Sequence, residues 1–281
     1  MLIPSDPTIV RSAVFTFDPD ARYIMPAHFG PRPMPPQASG WYRDVTAMTV
    51  TYLTDRDQLA QYLPAPFEVG EEARVSVFYA CNRRVDWLAG RGYNMIAVNA
   101  SAVFDGERDH VTGTYCLVMW ENLADPILTG RELQGVPKVY ADIPDHSVVA
   151  GAWRAGASHF GHPIVDLAVT ALVEPTADEL AEGRRAAAEE TAMGWRYLPG
   201  VSGFGETTSE PTAFPSESEF DTVQVGTGTI AWHELTWEQN PTQFHIVNAL
   251  AALPIVAYGP AVVTHGRTNL ILLDDLPRGL S

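Results

Sequence analysis

The sequence predicts a β-rich α+β domain: an antiparallel sheet with helices at its periphery. Three observations carry this. Segments rich in Val, Thr and aromatic residues recur along the chain, bounded by Gly, Asp and Asn clusters. Few segments have helical start and stop signals. Strand and helix do not alternate in the regular way a parallel α/β sheet requires.

Residues 1–40 are rich in proline (PAHFGPRPMPPQ) and read as an extended arm ahead of a single domain over 41–281. Strands are expected at 41–54 (WYRDVTAMTVTYLT), 73–80, 93–104, 114–120, 138–143, 147–155, 163–173, 223–237, 255–265 and 268–275. The first helix, DRDQLAQYL (55–63), follows Thr54 and is stopped by Pro64. The second, 177–192, opens with a capping box of Thr176 and Glu179. The third, PTQFHIVNALAAL (241–253), has Asn240 as its N-cap, Pro241 at the first helical position and Pro254 as its stop. Residues 199–222, rich in Gly, Ser, Pro and Glu, read as a mobile connection, and GRELQGVPKV (130–139) as a loop leading into a strand.

Composition excludes several functions. The 281 residues carry 18 Lys+Arg against 34 Asp+Glu, a formal charge of −16, which argues against binding nucleic acid or an anionic membrane surface. No apolar run reaches the roughly 18 residues that span a bilayer, and the first twenty residues lack the charged-then-apolar order of a signal peptide. Cys81 and Cys116 form no CxxC motif and are expected as free thiols in a reducing cytoplasm. No GxGxxG, Walker, HExxH or GxSxG motif occurs. His159 and His162 flank a Phe-Gly pair and read as loop residues, so no metal site is expected.

One count stands out. Of the 18 basic residues, 17 are arginine and one, Lys138, is lysine. Codon drift explains missing lysines but not where the last one sits. Arginine serves a charged surface equally well, whereas only an amine forms an imine. Val136 and Val139 flank Lys138 with apolar side chains, which favour the uncharged amine.

GRELQGVPKV resembles the active-site loop of the acetoacetate decarboxylase superfamily, a Gly-Arg-Glu followed after a short spacer by Pro-Lys. YLTDRDQLAQYLPAPFEV (52–69), LAGRGYNMIAV (88–98), AWHELTWEQNPTQFHIVNALAALP (231–254) and VVTHGRTNLIL (262–272) resemble further segments of that family in order. The resemblance implies a closed, cone-like antiparallel barrel with peripheral helices, a pocket inside it, no cofactor, and a homo-oligomer, commonly a tetramer or larger. It implies that Lys138 forms the Schiff base.

The chain departs from the decarboxylase pattern at the chemistry. The second lysine expected after the first is Val139, and a family glutamate falls on Met95. Another would fall among Val77, Phe78 and Tyr79, and the family's N-terminal arginine maps loosely onto Arg43. Lys138 is therefore expected to be activated by desolvation alone, in a pocket without anionic groups that accepts a ligand carboxylate. Arg131 and Gln134 are the candidates to hold that carboxylate. The altered positions are closer to superfamily members that join pyruvate, through its enamine, to an aldehyde and dehydrate the product. Tyr93 and Tyr258 are the candidate proton carriers for such chemistry. His233, Glu234 and His265 are expected to be structural. The expected activity is an aldolase-dehydratase lyase on a 2-oxo acid. The alternatives are decarboxylation of a 3-oxo acid and a barrel that binds a small molecule without chemistry.

Overall fold

The computed structural model describes residues 15–33, 35, 37–202, 207–270 and 278–281. Contacts divide the chain into two units, Met1–Met34 and Pro35–Ser281. The described part of the first unit has no strand. It holds one 3-10 turn, Ala27–Phe29, and a cluster of Phe15, Phe17 and Tyr23 packed edge to face.

Among the described residues the second unit is built on fourteen strands: β1 (Trp41–Leu53), β2 (Phe67–Val69), β3 (Arg74–Val85), β4 (Arg91–Asp105), β5 (His110–Glu121), β6 (Lys138–Tyr140), β7 (Ser147–Val149), β8 (Ala152–His159), β9 (His162–Val173), β10 (Thr191–Leu198), β11 (Thr208–Phe214), β12 (Glu217–Trp232), β13 (Ala257–Asn269) and β14 (Arg278–Gly279). Its helices are α1 (Arg56–Ala60), α2 (Ala124–Thr129), α3 (Ala177–Glu189) and α4 (Phe244–Ala252). All strands belong to one sheet, whose main path runs β14-β11-β10-β5-β4-β3-β1-β13-β12-β9-β8-β7, with β2 on β4 and β6 on β5. The pairing is antiparallel except β10 on β5 and β6 on β5.

The β-rich, helix-poor expectation holds, but closure of the barrel is not observed. Among the described residues the path is open, ending in strands of two and three residues, lengths typical of blunted edges.

Other boundaries differ for local reasons. The expected strand over 147–155 is a hairpin, because Ala150 and Gly151 take positive φ and turn the chain between β7 and β8. The 199–222 stretch contains β11 and the start of β12, since the Thr-Ser-Glu-Pro-Thr-Ala-Phe run pairs along β10; residues 203–206 lie outside the described part. Residues 271–275 of the last expected strand also lie outside it. The capping box of Thr176 and Glu179 opens α3. α4 starts at Phe244 rather than Pro241, because the Asn240 carbonyl accepts from the amides of Gln243 and Phe244 and closes a turn first.

The two-residue period of the long strands creates two apolar layers. Val75 and Val77 of β3, Ile96 and Val98 of β4, and Met48 and Val50 of β1 pack into the main core. The alternate residues Ala80, Tyr93 and Met95, with Tyr42 and Val45, form a smaller cluster. This second face carries the site.

Candidate active site

Sheet register places the lysine. Phe78 of β3 opposes Ala97 of β4, Ala97 opposes Met119 of β5, and Met119 pairs with Lys138 of β6. Residues opposed across a ladder share a face, so Lys138 belongs to the row of the second layer. There it meets a cavity of about 290 Å³, also lined by Tyr42, Asn82, Tyr93, Met95, Asn99, Cys116 and Gln134. A wider surface groove of about 1030 Å³ shares Phe214, Pro215, Ser216 and Ser218 with the cavity wall, so the β11–β12 connection separates the amine from that groove. Another groove, of about 680 Å³ along β8 and β9, holds no lysine and no buried ionic pair.

The loop that carries Lys138 is more ordered than its composition suggests. α2 runs into one π-helical turn, Gly130–Gln134, a rare form that recurs at functional sites. Pro126 is tolerated because it lies in the first turn of α2, where amides have no helical partner. Gly135 closes the turn at φ +78°, and a Cβ there would strike the Arg196 backbone. Gly130 is fixed by contact: a Cβ would stand 2.5 Å from Lys138 Cε and 2.9 Å from Nζ. Both glycines of GRELQG are thus explained by the packing of the lysine and its turn.

Lys138 is 7% exposed. Its Nζ donates to the Pro126 carbonyl at 3.2 Å and lies 2.8 Å from Glu121 Oε1. Glu121 is the last residue of β5 and is fully buried. The contact is an ion pair without an aligned hydrogen bond at Oε1, and Oε2 has no hydrogen-bond partner among the described residues. Burial raises the carboxyl above its usual range, and the Lys138 ammonium works against that rise. Glu121 is an anion the sequence reading did not place: it lies against the lysine but off the cavity wall, whose described lining holds no acidic side chain. Glu121 stands directly across the ladder from Met95, the position where the family pattern has its glutamate. Glu121 lies beside that position on the neighbouring strand, off the cavity wall. Register is the signal that finds it, and register is not readable from the chain alone.

Of the two candidate tyrosines, only Tyr93 lines the cavity. Its hydroxyl is 3.0 Å from that of Tyr42, which also accepts from Trp87 Nε1 at 3.1 Å. Burial pushes Tyr42 up to about 12 and Tyr93 well above the usual phenol, so both remain protonated at neutral pH. Tyr258 is away from the cavity: it is 40% exposed, and its hydroxyl is engaged by the Ile230 amide and carbonyl of β12. Gln134 and Met95 line the cavity. Arg131 and Arg43 do not. The Arg131 guanidinium donates to the Lys138 carbonyl at 2.8 Å and tethers the strand, while Arg43 forms an ion pair with Asp86 at 2.7 Å. Asn82, unremarked in the sequence, is 4% exposed and lines the cavity, and its buried Nδ2 has no hydrogen-bond partner among the described residues. His233 pairs with Asp166, and His265 with Asp44 and Asp221, away from the cavity lining. Cys116, a free thiol at the cavity, is pushed up to about 12 by burial. Among the described residues no cluster of side chains suits a metal, and no helix is long and apolar enough to cross a membrane.

The acetoacetate decarboxylase (ADC) family matches residues 24–268. No curated protein matches the chain in sequence. The acetoacetate decarboxylase of Legionella pneumophila subsp. pneumophila str. Philadelphia 1 has a similar structure, with TM-score 0.70 and 16% identity over 90% of this chain and 92% of that one. The enduracididine biosynthesis enzyme MppR, in its complex with pyruvate, gives TM-score 0.67 and 17% identity over 94% of this chain and 99% of that one. MppR has also been solved with the condensation product of pyruvate and imidazole 4-carboxaldehyde, giving TM-score 0.67 and 17% identity over 95% and 98%. At these identities the likeness establishes the fold.

Proposed function

The chain belongs to the acetoacetate decarboxylase family, and from that premise we propose that it is a lyase working through an imine on Lys138. Its substrate is a 2-oxo acid such as pyruvate, whose enamine adds to an aldehyde before the product dehydrates. The observation that carries this reading is the burial of the chain's only lysine on the wall of a cavity. The cavity volume of about 290 Å³ leaves space beyond a bound 2-oxo acid. At about 30 Å³ per water-sized group it has room for roughly ten such groups, more than a three-carbon oxo acid fills.

In this reading the amine adds to the ketone carbon and water departs, leaving an iminium that withdraws electrons from the adjacent carbon. Loss of a proton there gives the enamine, which forms the carbon–carbon bond with the aldehyde. Loss of the new hydroxyl as water gives the conjugated acid, and hydrolysis frees Lys138. Tyr93, protonated and at the cavity, donates to the developing alkoxide. Gln134 and Asn82 supply neutral donors for the carboxylate, and Arg131 orients the strand that bears the amine. We place the protein in the cytoplasm as a homo-oligomer.

The test is borohydride reduction in the presence of pyruvate, followed by intact-mass analysis and peptide mapping. One adduct at Lys138 is expected, since the N-terminal amine is the only other primary amine. Pyruvate with an aromatic aldehyde should then give a conjugated product. Robust release of carbon dioxide from acetoacetate would replace this reading with decarboxylation, and absence of any adduct would leave a binding protein.

A further inference from the structure

We propose that Glu121 is the counter-ion of the imine: a positioning residue that relays the amine's proton and keeps the imine nitrogen protonated. This deepens the imine reading above and rests on it.

Geometry carries the proposal. Among the described residues the cavity wall contains one charged side chain, Lys138. When its ammonium becomes an iminium, the positive charge stays at the same place, among apolar neighbours such as Met95, Ala97, Met119 and Val136. An uncompensated charge there is costly. Glu121 Oε1, 2.8 Å from Nζ, is the compensating anion. It is fully buried and absent from the cavity wall, so it meets no water and acts through the lysine rather than on substrate. Its second oxygen, Oε2, has no partner among the described residues and is free to take up charge as the first is engaged. A buried carboxylate so poorly bonded otherwise needs a reason to be there.

Other groups around the pair do not substitute for it. Cys116 of β5, Tyr42 of β1 and Tyr93 of β4 are all held neutral by burial. The Arg131 guanidinium, on the Lys138 carbonyl, has the wrong sign. Glu121 is therefore the one anion, among the described residues, placed against the amine.

The proton balance closes without any further group. The ammonium passes one proton to Glu121 Oε1, and the free electron pair forms the bond to the carbonyl carbon as the C–O π pair moves to oxygen. That oxygen takes one proton from nitrogen; nitrogen recovers one from Glu121 and passes it on in turn, and the oxygen leaves as water. The nitrogen keeps one hydrogen in the iminium. Glu121 ends as a carboxylate beside it, ready to repeat the relay when water returns.

The measurable consequence is the protonation midpoint of the imine. Cinnamaldehyde forms an imine whose absorption moves to longer wavelength when protonated, so a pH titration of the adduct reads that midpoint directly. In the wild-type protein the long-wavelength band should persist into alkaline solution. In Glu121→Gln the midpoint should fall by about one to three pH units, the usual effect of losing an opposite charge at this range. Glu121→Asp, with a carboxylate withdrawn by one methylene, should lie between the two. Circular dichroism checks that each variant is folded, and the Asp variant carries the test if the Gln variant is not. An unchanged midpoint in a folded Gln or Asp variant overturns the proposal while leaving the imine reading intact. A wild-type protein that forms no adduct at Lys138 overturns both.

Discussion

Two cation–carboxylate pairs of nearly equal length lie in this molecule and have opposite uses. Arg43 and Asp86 are 2.7 Å apart, with side chains 38% and 21% exposed. Lys138 and Glu121 are 2.8 Å apart, with side chains 9% and 0% exposed. The first fastens the start of β1 to the turn after β3, where water screens it and a median pair is worth about 0–1 kcal/mol. The second has been stripped of water, so its charges depend on each other and either partner alone is a liability. Burial, not distance, separates a fastening from the pair proposed as the reactive centre.

The largest contrast to test is reactivity. Lys138→Arg should abolish the borohydride-trapped adduct, because a guanidinium does not form the imine. Arg43→Lys places a second lysine against Asp86, and peptide mapping should still find the adduct at residue 138 and none at 43. An adduct at a surface lysine of comparable yield would dissolve the distinction between the pairs.

Stability gives the next contrast. Lys138→Met leaves Glu121 buried without its cation, and urea unfolding should show a loss of about 3–5 kcal/mol, the range for breaking a buried pair. The double variant Lys138→Met/Glu121→Gln should recover part of it, since no charge is then stranded. Arg43→Ala should lose about 1 kcal/mol or less. Equal losses in Lys138→Met and Arg43→Ala would mean that the inner pair is hydrated.

Gly130→Ala sharpens the same point through packing. The added Cβ would lie 2.5 Å from Lys138 Cε, so the side chain must move. Overpacking of this kind costs about 1–3 kcal/mol. A shift of about 1 Å in a reacting group is enough for a 100-fold loss of rate, so the rate of adduct trapping should fall by more than the stability does. A normal trapping rate would show that the amine does not need its present position.

These contrasts also show what the chain discloses by itself. Lys138 was legible because its signal is local: a unique residue type in GRELQGVPKV. The long strands were legible because β-branched and aromatic residues alternate along them, and the Thr176–Glu179 box because capping spans three residues. Glu121 was not legible. It lies 17 residues before Lys138, at the end of a strand, and becomes part of the site only because β6 pairs alongside β5 and Met95 faces it across β4. Tyr258 and Arg43 were chosen by residue type and by mapping, and the register of β12 with β13 and the turn at Asp86 take their polar atoms elsewhere. Chemistry written in one segment can be read from sequence; chemistry assembled across ladders needs the pairing.

The smallest expected effect concerns acid. The Arg43 guanidinium, with Ser39 assisting, holds the Asp86 carboxyl below the usual carboxylate range. A depressed folded-state value means the carboxylate binds protons less readily in the folded chain than in the unfolded one. Its contribution is therefore complete above the unfolded value near pH 4 and is lost as pH falls through the folded value. Asp86→Asn should lower the urea midpoint slightly at neutral pH, by the equivalent of about 1 kcal/mol or less. The gap to wild type should narrow steadily as pH falls below about 4 and close once it passes below the depressed folded value, where Asp86 itself becomes neutral. Adduct formation at Lys138, measured at neutral pH, should not change. A constant gap across that acid range would mean that Asp86 acts through its shape and not its charge, and a fall in adduct yield would tie the outer pair to the inner one.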